Sequence, residues 1–137
     1  MEKILVAIDN RHRAWEALSH ACSLVKRIDA ELYVLLVLSP GHKDRALADI
    51  ETEIKKRLEL IIEKAKSENI IINFYLVEGN YEQEIMTFIE HNKITLLTHE
   101  ANEKDKDARI RDTRFLRCLR SQLSCAVEIV VPKTKPI

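Results

Sequence analysis

Few side chains in this sequence have the types and spacing that chemistry needs. His12, His20, His42, His91 and His99 are well separated, whereas zinc ligands usually come in pairs a few residues apart, so no metal site is expected. Cys22, Cys118 and Cys125 form an odd, scattered set, unlike a disulfide framework. Cys118 and Cys125 read as small core residues on one helical face. Neither a Gly-x-Ser-x-Gly nucleophile elbow nor a Walker phosphate loop occurs. No catalytic residue is assigned. What remains is the stretch "LLTHEANEKDKDARIRDT", where an aliphatic run gives way to charge without a single glycine. Arg109, Arg111 and Arg114 surround Asp112 there. Arginine forks grip phosphate oxygens; equally, the three balance Glu103, Asp105 and Asp107 on a solvated connection. Asp9, after the first aliphatic run, either accepts a bond from a ligand or caps a helix starting near Arg11.

The elements that position these residues follow from periodicity. "KILVAI" (Lys3 to Ile8) is a continuous apolar run of the kind covered on both faces of a sheet. Ala14, Leu18, Ala21, Cys22, Val25 and Ile28 then recur at helical spacing. Glu31 to Leu38 is a second strand, halted by "SPGH". Leu47, Ile50, Ile54, Leu58, Ile61 and Ala65 stripe a long helix. Ile70 to Val77, β-branched and aromatic, is a third strand. Asn80 with Gln83 resembles a helix N-cap with its return partner, and Ile85, Phe88 and Ile89 give that helix its apolar face. Ile94 to Thr98 is a fourth strand; Leu116, Leu119 and Leu123 mark a last helix; Ala126 to Val131 is a last strand. Trp15, the single tryptophan, fits a core or half-core place.

Such alternation predicts one α/β domain over residues 1–137, a five-stranded open twisted parallel sheet with helices on both faces, Rossmann-like. Ligands of such sheets lie beyond the carboxyl ends of the strands, where strand order reverses, so Asp9, Ser39, Glu78 and His99 are expected along that edge. Basic and acidic residues are equal at 22 each, which leaves no net field to attract nucleic acid or an anionic membrane. No apolar run approaches the roughly 20 residues of a membrane span, and the start reads as a strand rather than a secretory leader. The expectation is a cytoplasmic protein without nucleic-acid or membrane partners.

In order and spacing, "KILVAIDN", "AWEALSHACSLVKR", "AELYVLLVL", "VEGNYEQEIMTFIEHNKITLLT" and "CAVEIVVPK" resemble the universal stress proteins. The resemblance spans nearly the whole chain and implies the adenine nucleotide alpha hydrolase-like form of the fold. It further implies a homodimer formed through the C-terminal strand, and a stress-response role exercised through protein partners. In nucleotide-binding members an Asp after strand one contacts adenine. A Gly, two residues, Gly, nine residues, Gly and Ser or Thr then follow strand four. On this chain the motif falls on His99, Asn102, Asp112 and Thr113, so that only the hydroxyl residue survives.

Asp9, Asn102, Asp112 and Thr113 are thus the candidate, vestigial nucleotide site. Asp112, taken as the cap of a helix opening at Thr113, would occupy the N–H groups an anion needs and would repel a triphosphate. Two unit charges about 4 Å apart at an effective dielectric near 20 interact by roughly 4 kcal/mol, the difference between micromolar and about millimolar affinity. The expectation is a non-catalytic regulatory protein without a cofactor. The alternative is an ATP-binding switch using Asp9, Asn102, Thr113 and the nearby arginines. A looser likeness, to response-regulator receivers, places Asp9, Glu78, Thr98 and Lys133 near a phosphorylation site, but no adjacent acidic pair is present to hold Mg²⁺.

Overall fold

The computed structural model describes residues 1–102 and 104–132; Glu103 and Lys133, both named above, lie outside them. Five strands alternate with four helices: β1 (Glu2–Ile8), α1 (Trp15–Val25), β2 (Ala30–Leu38), α2 (Arg45–Ser67), β3 (Ile72–Glu78), α3 (Tyr81–Asn92), β4 (Leu96–Glu100), α4 (Lys106–Gln122) and β5 (Ala126–Val130). All pairings are parallel, in the order β3-β2-β1-β4-β5. β1 and β2 are buried on both faces, which explains their unbroken apolar runs.

Alternate strand residues feed two cores. Ile4, Val6 and Ile8 pack with α1 and α2, while Leu5 and Ala7 pack with α3 and α4. Trp15 lies partly buried against the first core, with the Arg57 guanidinium 4.3 Å from the centre of its ring. Stripe residues Ile54, Leu58 and Ala65 of α2 are buried, but Ile50 is exposed and the neighbouring Glu51 is buried instead. One Glu51 oxygen lies 2.6 Å from Lys43 Nζ and the other accepts the Ser39 N–H at 2.8 Å, so the buried carboxylate has a cation beside it. Cys118 is exposed and Cys125 lies beyond the end of α4, so the two do not share a helical core face.

Strand order reverses between β1 and β4, the switch point of this sheet. Their register covers only Ile4 with Leu96 and Leu5 with Leu97, so the strands part over their last residues. β3 lies at an edge, with β2 between it and β1. A receiver places its third strand beside the first; here Glu78 is kept away from Asp9 and Thr98, and that reading is corrected. Among the described residues no helix is long and apolar enough to cross a membrane.

Candidate functional site

α4 begins at Lys106, capped by Asp105, whose carboxylate accepts the Ala108 N–H at 2.7 Å. The expected start at Thr113 is therefore corrected by about two turns. Residues 106–111, "KDARIR", hold no Gly or Pro, and a capped run of good helix formers extends the helix toward β4. Asp112 is consequently an interior helical residue and caps nothing. Thr113 is exposed on the outer side of the helix, away from the switch point.

His99 and Asn102 are both joined to Asp112, and these are the three residues that the resemblance sets at glycine positions. Asp112 Oδ1 lies 2.5 Å from His99 Nε2, and Oδ2 accepts the Asn102 N–H at 3.4 Å. His99 and Asp112 side chains are only 4% and 12% exposed. Burial pushes the Asp112 carboxyl up. The bond and charge of His99, the Asn102 N–H and the charge of His12 outweigh it and hold the carboxyl below its ordinary value.

Asp9 is turned onto its own loop. Its Oδ1 accepts the N–H groups of Arg11 at 2.9 Å and His12 at 2.7 Å, and lies 2.9 Å from His12 Nδ1. It does not cap α1: that helix starts at Trp15, after an Ala14 cap position without a side-chain bond. The Ala17 N–H is instead taken by Glu100 Oε1, 2.9 Å away at the end of β4. A carboxylate of the chain thus stands where α1 would attract an external anion. The His12 ring stacks on Tyr81, with centroids 4.1 Å apart and planes 3° from parallel. Burial, then the charges of Asp9, Asp112, Glu82 and Glu100, drive the Tyr81 hydroxyl well above its ordinary pKa, which keeps it neutral.

Between the loops lies a cleft of about 580 Å³, lined among others by Asp9, Ser39, Asn80, Arg111, Asp112 and Phe115. A second cavity of about 360 Å³ occupies the parting of β1 and β4, under Arg11, His12 and Thr98. Asp9, Asn102 and Asp112 meet at the first cleft, and Thr113 does not. Of the three arginines around Asp112 in sequence, Arg111 lines the cleft, while Arg109 and Arg114 lie with Thr113 on the outer face. Among the described residues no cluster of three or more His, Cys, Asp or Glu side chains could hold a metal.

Sequence reasoning missed the His99–Asp112 pair, the Glu100 contact with α1 and the His12–Tyr81 stack. The Glu100 contact and the stack join segments far apart in the chain, for which local spacing carries no signal; the motif spacing set His99 and Asp112, 13 residues apart, at one site without showing that they pair. The start of α4 did carry one, since Asp105 precedes a buried alanine by three residues.

The family model described as "Universal stress protein family" matches residues 1–111, ending one residue before Asp112. Solved structures share the architecture at low identity. Universal stress protein UspA from Lactobacillus plantarum is 19% identical, covered over 94% of this chain and 97% of its own, with a TM-score of 0.70. A universal stress protein from Archaeoglobus fulgidus in complex with dAMP is 16% identical, over 94% and 97%, with a TM-score of 0.64. A universal stress protein family protein from Arabidopsis thaliana with AMP bound is 13% identical, over 97% and 93%, with a TM-score of 0.61. Curated proteins give no match.

Proposed function

The chain belongs to the universal stress protein family, and from that premise we propose that it is a non-catalytic regulatory member whose phosphate-binding site is closed by its own side chains. The observation that carries this reading is the joined set of His99, Asn102 and Asp112, with α4 running back to Lys106. Phosphate cradles of this kind need bare backbone and free N–H groups at a helix start. Here Asp105 takes the first-turn N–H of Ala108, and Asp112 adds a carboxylate facing the cleft. Isothermal titration of ATP and of AMP to millimolar concentration tests the reading. No saturable heat is expected, and a micromolar dissociation constant for either would overturn it.

The protein acts as a homodimer through β5, the edge strand opposite β3. Ile129 is 47% exposed there, and an open edge strand offers unpaired backbone groups to a second chain. Light scattering at micromolar concentration should give twice the chain mass.

A second reading, a nucleotide-binding switch, draws on the cleft of about 580 Å³, within the usual range for small-molecule sites, and on the AMP and dAMP in the names of two similar structures. It has to work without Thr113. The two readings separate by thermal melting: a ligand at a hundred times its dissociation constant adds about 2.7 kcal/mol, and the closed-site reading expects no shift.

A further inference from the structure

The balanced net charge of the chain hides a strong segregation. Lys106, Arg109, Arg111, Arg114, Arg117 and Arg120 of α4 are all exposed. With Asp107 and Asp112 as its only acids, the helix carries a formal +4. The 22 basic and 22 acidic residues of the whole leave 16 and 20 elsewhere, a formal −4. Asp112 is turned inward onto His99, so Asp107 is the one exposed carboxylate of the helix. No basic side chain of α4 makes an ion pair among the described residues. Four of these cations, Lys106, Arg109, Arg114 and Arg117, line a shallow groove of about 330 Å³ with Thr113 and Ile110, and Arg120 extends the row.

We propose that the outer face of α4 docks the phosphate backbone of a nucleic acid strand without reading its bases. The proposal is independent of whether the cleft binds nucleotide. From Lys106 to Arg120 the row runs roughly 21 Å at 1.5 Å per residue, enough to follow several consecutive phosphates. Four of the five outward cations are arginines, whose planar fork pairs two phosphate oxygens at once, and the Thr113 hydroxyl in the groove adds a neutral donor. A lipid surface fits less well. Membrane-surface helices need an apolar face, and the apolar residues Ala108, Phe115, Leu116 and Leu119 are buried against the sheet, leaving Ile110 as the one large apolar side chain exposed.

The test is fluorescence anisotropy of a labelled 20-nucleotide single-stranded RNA between 25 and 200 mM KCl. Five outward cations predict a slope of log affinity on log salt of about −3.5. The double variant Arg114→Gln with Arg117→Gln should weaken binding at least tenfold at the lowest salt and flatten the slope to about −2, since each phosphate contact contributes roughly 0.7. Lys55→Gln with Lys56→Gln, exposed positions of α2 carrying the same charge loss, should leave affinity and slope unchanged. Both doubles replace surface residues and should melt with the parent. Absence of RNA binding at 25 mM salt, equal loss in the two doubles, or equally tight binding of polyglutamate or phosphatidylserine vesicles would overturn the proposal.

Discussion

Replacing Asp112 by Ala tests whether its contact with His99, on which the proposed closed site depends, is an energetic feature of the fold. In the native chain the carboxylate lies 2.5 Å from His99 Nε2 and accepts the Asn102 N–H at 3.4 Å. The second contact is long and contributes little. The first involves two side chains exposed by 4% and 12%, and hydrogen bonds to charged groups contribute about 1.5–3 kcal/mol net. Against this, Ala is the better residue inside a helix by roughly 0.5 kcal/mol. The expected loss is about 1–2.5 kcal/mol, or a melting temperature lower by about 3–10 °C for a domain of this size. Thermal and urea denaturation at pH 7, followed by circular dichroism, measure it.

The pH dependence gives an independent check. Because the folded state holds the Asp112 carboxyl below its ordinary value of 3.8, the unfolded chain binds more protons near that pH, and stability rises with pH there. The contribution is present above the unfolded value and is lost as pH falls through the folded one. The gap between parent and variant should thus persist from pH 7 to about 5 and narrow below about 3.8. A variant as stable as the parent at pH 7, or a gap independent of pH down to 3, would refute the reasoning.

Glu100→Ala removes the acceptor of the Ala17 N–H at the start of α1 and should cost about 1 kcal/mol, the usual worth of a helix cap, read by urea denaturation. Leu119→Ala, at a fully buried site between α4 and the sheet, should cost about 2–5 kcal/mol; a loss under 1 kcal/mol would contradict that packing. Ile129→Lys on β5 should leave the unfolding energy of the monomer within about 0.5 kcal/mol while light scattering reports loss of the proposed dimer. Of the three cysteines, Cys118 is exposed, whereas burial pushes the thiols of Cys22 and Cys125 up. Titration with a disulfide reagent at pH 8 should find one fast thiol per native chain.

Most of the architecture was legible because each buried strand is a short aliphatic block and each helix shows its apolar stripe. The Asn80 cap was legible too, its side chain accepting the Gln83 N–H at 3.0 Å, although the Gln83 side chain turns to Thr87 instead of returning. What local pattern could not carry was pairing across the chain. Glu51 sits beside an apolar stripe and looks like a solvated acid until Lys43 and the Ser39 N–H surround it. The start of α4 was hidden differently: of residues 106–112 only Ala108 and Ile110 are apolar, and Ile110 points outward, so periodicity is silent where helix propensity is strong.

That silence explains why a motif laid on by spacing put Thr113 at a helix start. Glycines keep a loop out of the helix because each costs about 1 kcal/mol more than Ala in a helical interior. A loop that must stay open around an anion therefore depends on them twice, for access and for resisting helix growth. Residues 106–112 hold no glycine and Asp105 offers a cap, so propagation, which adds a hydrogen bond for each residue fixed, carries the helix on from Lys106. The helix carries the Asp112 carboxylate inward, and His99 pairs with it there. Replacing His99 by glycine alone would leave the helix intact and the Asp112 carboxylate with only its long contact to the Asn102 N–H, so under the proposed closed-site reading the cleft is opened by moving the start of α4, not by removing one side chain.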